Sequence, residues 1–349
     1  MRKASIKLQQ HRAWDHLKAI TQPALTLAPT NYFDEIRAGC VAADIPGAVA
    51  DHDTPWLFDR LIGAVQMQGI SDANAAAFTA KHGIVSFADV AAALDADPDC
   101  PRLRSYWDFS DCRYRKAAGT CSEPRHLGRC PVPTHPTRKG SLIVAAYSLA
   151  LFLRDVCDGD LVAWLDFRLA EADRGPGTLD RAVNMGAAVL GPLREISGIG
   201  EKVWSMALAD LLLAADSDRE RWVTAGAAMV VIDSLLHNHL HRTGTLRRFG
   251  AEHLYGPRCY GPGGCASIIR GLSDRIDARA FNPAFPASFP RFVQFAIWRL
   301  CSTSELDQCN GNRIDDRRRC INIGCPAFSD CDRVVLHQKP SGLPLPPKA

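Results

Sequence analysis

The sequence has no apolar run long enough to cross a membrane. The longest run, residues 142–153, is interrupted by Ser148 and flanked by Lys139 and Arg154. A spanning helix needs about 20 apolar residues, so no membrane contact is expected. Residues 1–19 mix charged and apolar side chains and have no uninterrupted apolar core of the kind that a secretory signal contains. These absences predict a cytoplasmic protein.

The sequence also has little excess charge of either sign. Its 41 Lys and Arg residues against 38 Asp and Glu residues give a formal net charge of +3, which permits a nucleic-acid partner but does not require one. A DNA-binding surface would therefore have to come from local basic clusters, each of which is alternatively an ordinary solvated face. These clusters are Arg138-Lys139, Arg242, Arg247-Arg248 and residues 317–319.

Strand signals are sparse, and the sequence contains no internal repeat. Hydrophobic residues make up 47% of the chain, which excludes wholesale disorder, and apolar residues recur at helical spacing through most of it. We therefore predict an all-α protein in two lobes. Residues 56–225 form the first lobe, residues 226–335 form the second together with an N-terminal segment over residues 1–55, and residues 336–349 form a disordered tail.

The segment Gly-Ile-Gly-Glu-Lys over residues 198–202 is the most informative part of the chain. Gly198 and Gly200 can adopt positive φ and leave their backbone N–H groups uncovered, directly before a predicted helix. Such a turn can bind a DNA phosphate without reading bases. The alternatives are that the turn only connects two helices and that Lys202 is a solvated helix lysine.

A second informative segment is the apolar run over residues 230–232, which ends in Asp233. An aspartate at this position is well suited to cap the helix that follows. Downstream, His237 and His241 would share one helical face and could bind a metal, with His239 between them. Contact with phosphate, or packing, is the interpretation that we favour for these histidines.

A Gly-Ile-Gly-x-Lys hairpin followed by an apolar run ending in Asp resembles the helix-hairpin-helix DNA glycosylase superfamily, and in particular its endonuclease III-like iron–sulfur branch. The resemblance implies a two-lobed helix-hairpin-helix fold. It also implies that Lys202 attacks the anomeric carbon of the sugar and that Asp233 stabilises the cationic sugar. Gly198 and Gly200 would hold the DNA backbone, with Arg242 among the basic contacts.

One position departs from the family's pattern. The family often has histidine two residues after the aspartate, where this chain has Leu235. The resemblance therefore does not define the substrate pocket.

Two further segments extend the resemblance over residues 56–331. Residues 56–72 resemble the family's early helix and the loop whose glutamine fills the gap left by an extruded base. Gln68 is the matching position, and Gln66 is the alternative. The C-terminal cysteines resemble the loop that holds a [4Fe–4S] cluster, and zinc is the alternative occupant. These cysteines are Cys309, Cys320, Cys325 and Cys331.

The first ligand of this loop has a rival. Ten residues separate Cys309 from Cys320, a longer gap than the family usually has. Cys301 is the other candidate, although it is also explained as a small buried residue on an apolar helix.

The chain has thirteen cysteines, and in a reducing cytosol clustered cysteines are better explained as metal ligands than as disulfides. A second group lies in a long Pro- and Gly-rich insertion, about residues 100–140, where the resembling family has none. It predicts a second metal site, zinc or iron–sulfur, that would staple the segment. This group is Cys100, Cys112, Cys121 and Cys130, with His126 and His135 as possible substitutes. Cys259 and Cys265 either complete this site or form an independent pair.

The expected function is base-excision repair by a DNA glycosylase with abasic-site lyase activity. Its partner would be double-stranded DNA with a damaged, mispaired or modified base, and a monomer is expected, associated with the bacterial nucleoid when bound to DNA. Two alternatives remain open: an enzyme of thymine hypermodification on the same scaffold, and a non-catalytic, metal-stapled binder of distorted DNA. The sequence does not identify the base.

Overall fold

The computed structural model describes residues 2–28, 44–66, 72–96, 100–109, 112, 114–115, 120–121, 125, 141–178, 180–214, 218–310 and 313–336. Over these residues the chain is helical, which confirms the predicted all-α class. The α-helices in chain order are α1 Arg2–Leu27, α2 Ile45–Ala50, α3 Thr54–Gln66, α4 Asp72–His82, α5 Phe87–Asp95, α6 Tyr106–Phe109, α7 Ser141–Asp155, α8 Leu161–Ala172, α9 Arg181–Arg194, α10 Glu201–Ala214, α11 Glu220–Ala228, α12 Ser234–Arg242, α13 Thr245–Arg248, α14 Cys265–Ser273 and α15 Pro290–Cys301.

Two very short strands are also present among the described residues. β1, Tyr114–Arg115, pairs antiparallel with β2, Thr120–Cys121. Short 3-10 turns cover Pro101–Leu103, Pro257–Cys259 and Ala278–Ala280. None of these elements changes the helical class of the protein.

The chain divides into two compact units. The middle unit comprises residues 33–229, and the terminal unit comprises residues 1–32 together with residues 230–349. The predicted boundaries lay after residues 55 and 225, which would place α2 in the terminal unit. The structure instead assigns α2 to the middle unit.

The longest apolar run of the sequence forms the centre of the middle unit. Each of residues 142–153 on α7 is buried, and α7 packs against α3, α5 and α6. A helix that is apolar on all sides requires neighbours on all sides. On other helices of this unit, Trp204 and Trp222 are 0% and 1% exposed. The core of the middle unit is therefore built from aliphatic helix faces and large aromatic side chains, among them Trp204 and Trp222.

An ion-pair network at Asp173 links α9 and α11 of the middle unit. Arg181 donates from Nε to the Asp173 carboxylate at 2.6 Å and from Nη1 to Glu220 at 2.7 Å. Arg221 donates to the other Asp173 oxygen at 2.9 Å. Hydrogen bonds from Arg181 and then Arg221 hold the pKa of Asp173 well below its usual range.

Acidification is expected to remove the stabilisation that Asp173 provides. Because its pKa is lower in the folded state, the contribution is complete above the unfolded value of about 3.9 and is lost as the pH falls below that value. At pH 6, Asp173→Asn should lower the free energy of unfolding by about 1.5–3 kcal/mol. It should also flatten the acid limb of a plot of Tm against pH. The exposed Asp51→Asn is the control, and an unchanged acid limb in Asp173→Asn would contradict the prediction.

In the terminal unit, α1 packs against α13, α14 and α15. The Trp14 ring meets Phe249 edge-on at 4.5 Å, and the Arg275 guanidinium lies over the same ring at 4.0 Å. A Cβ at Gly271 would lie 2.5 Å from the Trp14 ring, so glycine is needed for this close approach. The first helix of the chain is thus packed into the unit formed by its C-terminal part.

Candidate functional site

The predicted hairpin is formed by α9 and α10, which are joined by residues 195–200. Ile196 and Ile199 are 1% and 6% exposed, so two apolar side chains anchor the connection in the core of the middle unit. Arg194 at the end of α9 forms an ion pair of 2.6 Å with Glu201 at the start of α10. The connection is therefore held on both of its sides.

The two glycines of the hairpin have different conformations. Gly198 has φ of 86°, in the left-handed region that favours glycine, whereas Gly200 does not have a positive φ. A Cβ at Gly200 would meet nothing within 4 Å. Among the described residues, the N–H groups of Gly198, Ile199 and Gly200 donate no hydrogen bond. These amides precede a helix, where the backbone favours an anion.

Lys202 is the second residue of α10 and is partly exposed. Two residues further on, Trp204 is fully buried, so the first turn of the helix has one side in the core and one side toward solvent. Lys202 is accordingly partly accessible to solvent.

Asp233 follows an extended, buried segment in the terminal unit, residues 230–232. As expected, it is the N-cap of α12, and its Oδ1 accepts a hydrogen bond from the backbone N of Leu236 at 2.8 Å. A carboxylate at this position is stabilised by the helix dipole. One oxygen satisfies the helix start, which fixes the direction of the side chain.

Two tyrosines hold the backbone immediately before Asp233. The N of Ile232 donates to Tyr260 Oη at 2.9 Å, and the same hydroxyl lies 3.3 Å from the carbonyl oxygen of Ile232. Tyr255 Oη approaches that carbonyl at 3.5 Å. Burial, and then the charge of Asp233, raise the pKa of Tyr255. The loop after α13 is thus part of the surroundings of Asp233.

Helix α12 supplies histidines to two separate clusters. His237 and His239 are two residues apart, and at 3.6 residues per turn their side chains point about 200° apart. His237 joins His253, Cys259 and Cys265, here called the His237 cluster. His239 joins Cys301 and Cys309, here called the His239 cluster. In each cluster the donor atoms all lie within 4.8 Å of one another, so each could hold a metal ion.

In the His237 cluster, His237 Nδ1 lies 3.6 Å from the Cys259 sulfur and 3.5 Å from the Cys265 sulfur. Nε2 of His253 lies 3.6 Å from Cys265 Sγ. Burial, and then the nearby His253 and His241, lower the pKa of His237 to about 4. The imidazole is therefore neutral at pH 7 and its lone pair is available.

In the His239 cluster, Cys301 Sγ lies 3.7 Å from Nδ1 of His239. The Cys301 thiol hydrogen-bonds to Cys309, which lowers the pKa of Cys309 and raises that of Cys301. Both rival ligands of the sequence prediction are therefore in one place. Cys301 and Cys309 both belong to the donor set of the His239 cluster.

The charges of Cys309 and Cys320 act on two other C-terminal cysteines, Cys325 and Cys331. Burial, and then the charges of Cys309, Cys325 and Cys320, raise the pKa of Cys331 to about 11. The backbone N of Asn322 donates to Cys320 Sγ at 3.5 Å, and that of Arg333 donates to Cys331 Sγ at 3.4 Å. Backbone N–H groups directed at sulfur suit thiolate ligands of a metal cluster.

Arg242 is buried, with 2% of its surface exposed. Its guanidinium forms an ion pair with Asp316 and donates to Cys309 Sγ at 3.6 Å, while its carbonyl oxygen lies 3.8 Å from Cys331 Sγ. This burial does not support the predicted contact between Arg242 and DNA. The structure instead places the arginine against the cysteine loop.

Several predicted residues lie outside the described part of the chain, among them Gln68, Cys130, His126 and His135. Gln66, the alternative to Gln68, is buried, and its amide donates to Thr79 Oγ1 at 2.9 Å. For the second cysteine group, Cys100 is buried and Cys112 is partly exposed. The side chain of Cys121 is not described, so this metal prediction stays untested.

His253 is the ligand candidate that the sequence analysis missed. It lies 12 residues before Cys265 and 16 after His237, which follows no periodicity. Cys259 and Cys265 form a set with His237 and His253, in line with an independent pair rather than with completion of the Cys100 group.

Comparison with family models, with curated proteins and with solved structures finds no match. Among the described residues, no helix is both long and apolar enough to cross a membrane.

Proposed function

We propose that this protein is a DNA glycosylase with abasic-site lyase activity, acting on duplex DNA that contains a damaged, mispaired or modified base. The observation that carries the proposal is the α9–α10 hairpin. Its turn has a left-handed Gly198 and a buried Ile199, before a helix whose second residue is Lys202, and the amides of residues 198–200 donate no hydrogen bond within the described part of the chain.

The hairpin amides would bind a phosphate of the DNA backbone, a contact that needs no base sequence. Extrusion of the target nucleotide costs a few kcal/mol, least at a damaged or mispaired base. The cost therefore contributes to selection of the substrate.

In the proposed chemistry, the neutral Lys202 amine attacks C1′ of the sugar, and the base leaves with the electrons of the glycosidic bond. Loss of a proton from nitrogen and opening of the sugar ring give a Schiff base between Lys202 and C1′. Elimination at the 3′ side then breaks the strand. Asp233, fixed as an N-cap, would stabilise positive charge on the sugar and accept the proton from the nucleophile.

Cys309, Cys320, Cys325 and Cys331 would hold a [4Fe–4S] cluster, and the N–H groups directed at Cys320 and Cys331 support this assignment. Cys301 is the rival of Cys309 as first ligand. The cluster's role would be to order the loop, which carries Arg317, Arg318 and Arg319. Iron analysis and a visible absorption spectrum of anaerobically purified protein would identify the metal.

The lyase assignment predicts a covalent adduct at Lys202. Full-length protein incubated with a duplex containing an abasic site, then treated with borohydride, should give a trapped protein–DNA complex. Lys202→Ala should reduce the yield of this complex by at least about 100-fold, because a nucleophile is lost. The exposed Lys81→Ala is the matched control and should trap normally.

Two outcomes oppose the proposal. Wild-type protein that gives no adduct excludes lyase activity on that substrate, and an undiminished adduct in Lys202→Ala excludes this lysine as the nucleophile. Equal binding of intact and abasic duplex, without strand scission, would favour a non-catalytic DNA-binding protein.

A further inference from the structure

Four side chains of the terminal unit surround one point as a closed set of metal donors. They are His237, His253, Cys259 and Cys265, the His237 cluster. We propose that this cluster binds one structural Zn²⁺ ion in tetrahedral coordination by two thiolates and two imidazoles. The cluster would bind zinc whether or not the protein acts on DNA.

The separations between donors match this geometry. His237 Nδ1 lies 3.6 Å from the sulfur of Cys259 and 3.5 Å from that of Cys265. The Cys265 sulfur also lies 3.6 Å from Nε2 of His253. With Zn–S of about 2.3 Å and Zn–N of about 2.0–2.1 Å, the edges of a tetrahedral site between N and S are about 3.5–3.6 Å long. One zinc ion can therefore contact the four donors with little rearrangement of the side chains.

The donor types and their surroundings favour zinc. Two cysteines with two histidines in a tetrahedral arrangement form a frequent zinc donor set. Nδ1 of His253 lies 2.6 Å from the carbonyl oxygen of Ala251. A proton on Nδ1 donates to that carbonyl and leaves the lone pair on Nε2, the atom directed at Cys265. Metal-binding histidines are commonly held in this way through their second nitrogen.

The burial of the site indicates a structural ion. Cys259 and Cys265 are both 0% exposed, and His237 is 4% exposed. Four protein donors complete the coordination of zinc, whereas a catalytic zinc keeps one position for water or substrate. The loop between the cysteines is also tightly closed, because a Cβ at Gly264 would lie 2.2 Å from the carbonyl oxygen of Arg258.

The ion would join four successive segments: α12, the loop over residues 251–256, the 3-10 turn Pro257–Cys259 and the start of α14. Tyr260, next to the ligand Cys259, holds both backbone groups of Ile232 directly before Asp233. Loss of zinc should therefore loosen the first turn of α12 as well as the loop itself. If Asp233 has the proposed catalytic role, zinc is a positioning element for it.

Zinc content measured on full-length protein tests the site. Purified from cells without added metal, wild-type protein should contain one equivalent of zinc that is missing from both Cys259→Ser and Cys265→Ser. Two controls should retain it: Cys157→Ser, a buried thiol of the middle unit, and His241→Gln, a histidine of the same helix outside the cluster. Amide hydrogen exchange at residues 234–237 should be faster in the two cysteine variants only.

Cobalt substitution of the wild-type protein tests the geometry and the donor atoms of the site without needing a variant that folds. Co²⁺ in place of zinc should show the intense d–d bands of a tetrahedral site and sulfur-to-cobalt charge-transfer bands of two thiolates. Wild-type protein without bound zinc, zinc retained in both cysteine variants, iron in place of zinc at these ligands, or an octahedral cobalt spectrum would each overturn the proposal.

Discussion

Trp204→Ala is expected to lower the free energy of unfolding of the middle unit by about 3–5 kcal/mol. The indole is 0% exposed and belongs to the core formed by α3, α7, α9, α10 and α11. Truncation to alanine leaves a cavity that a close-packed interior fills only in part. Because Trp204 lies two residues after Lys202, the first turn of α10 should lose its anchor. Urea unfolding gives the total effect, and hydrogen exchange at residues 201–206 gives the local one.

Trp204→Phe is the informative comparison. Among the described residues, Nε1 of Trp204 is buried and has no hydrogen-bond partner. A buried donor without a partner costs about 1–3 kcal/mol. Its removal therefore offsets part of the free energy that is lost with the volume of the side chain. Trp204→Phe should therefore cost clearly less than Trp204→Ala, and Trp107→Ala, at a residue with 63% exposure, should cost least. Equal losses for alanine and phenylalanine at residue 204 would refute this account.

Arg242→Met should destabilise the terminal unit by about 3–5 kcal/mol, because it removes one partner of a buried ion pair. The guanidinium is 2% exposed and contacts both Asp316 and the sulfur of Cys309. Methionine fills much of the space but removes the ion pair and the hydrogen bond that Arg242 makes with Asp316 and Cys309. Hydrogen exchange of the α12 amides gives the free energy of opening of this helix. The decrease in that free energy measures the loss of stability in the terminal unit.

Arg247→Met is the matched control in the same unit. Arg247 is 57% exposed and pairs with Asp332 at 3.0 Å. Exposed ion pairs contribute about 0–1 kcal/mol, so this variant should remain close to wild type. Similar losses in Arg242→Met and Arg247→Met would show that burial of Arg242 is unimportant for stability.

The helical class and several local features could be predicted because they depend on neighbouring residues. Helical periodicity indicated α7 and α10, a carboxylate after an apolar run indicated the N-cap at Asp233, and glycine before a helix indicated the left-handed residue Gly198. Positive φ at Gly200 was not found, because one left-handed residue suffices to turn the chain there.

The two clusters of potential metal donors could be predicted only in part. Cys309 and Cys301 were recognised by their cysteine neighbours, but whether the two lie together depends on how the end of α15 packs. Helical spacing places His237 and His241 one turn apart on the same face, which indicated these two histidines as a possible metal site. The structure pairs His237 with His253, through a loop whose path no local pattern specifies.

Helix α12 has nine residues and lies between the His237 cluster and the His239 cluster. A helix this short has little stability of its own, so its order depends on what holds its two sides. An ion bound in either cluster would restrain the helix that supplies a ligand to the other. The two binding free energies would then be coupled, and by thermodynamic reciprocity each ion would change the affinity for its neighbour by the same factor.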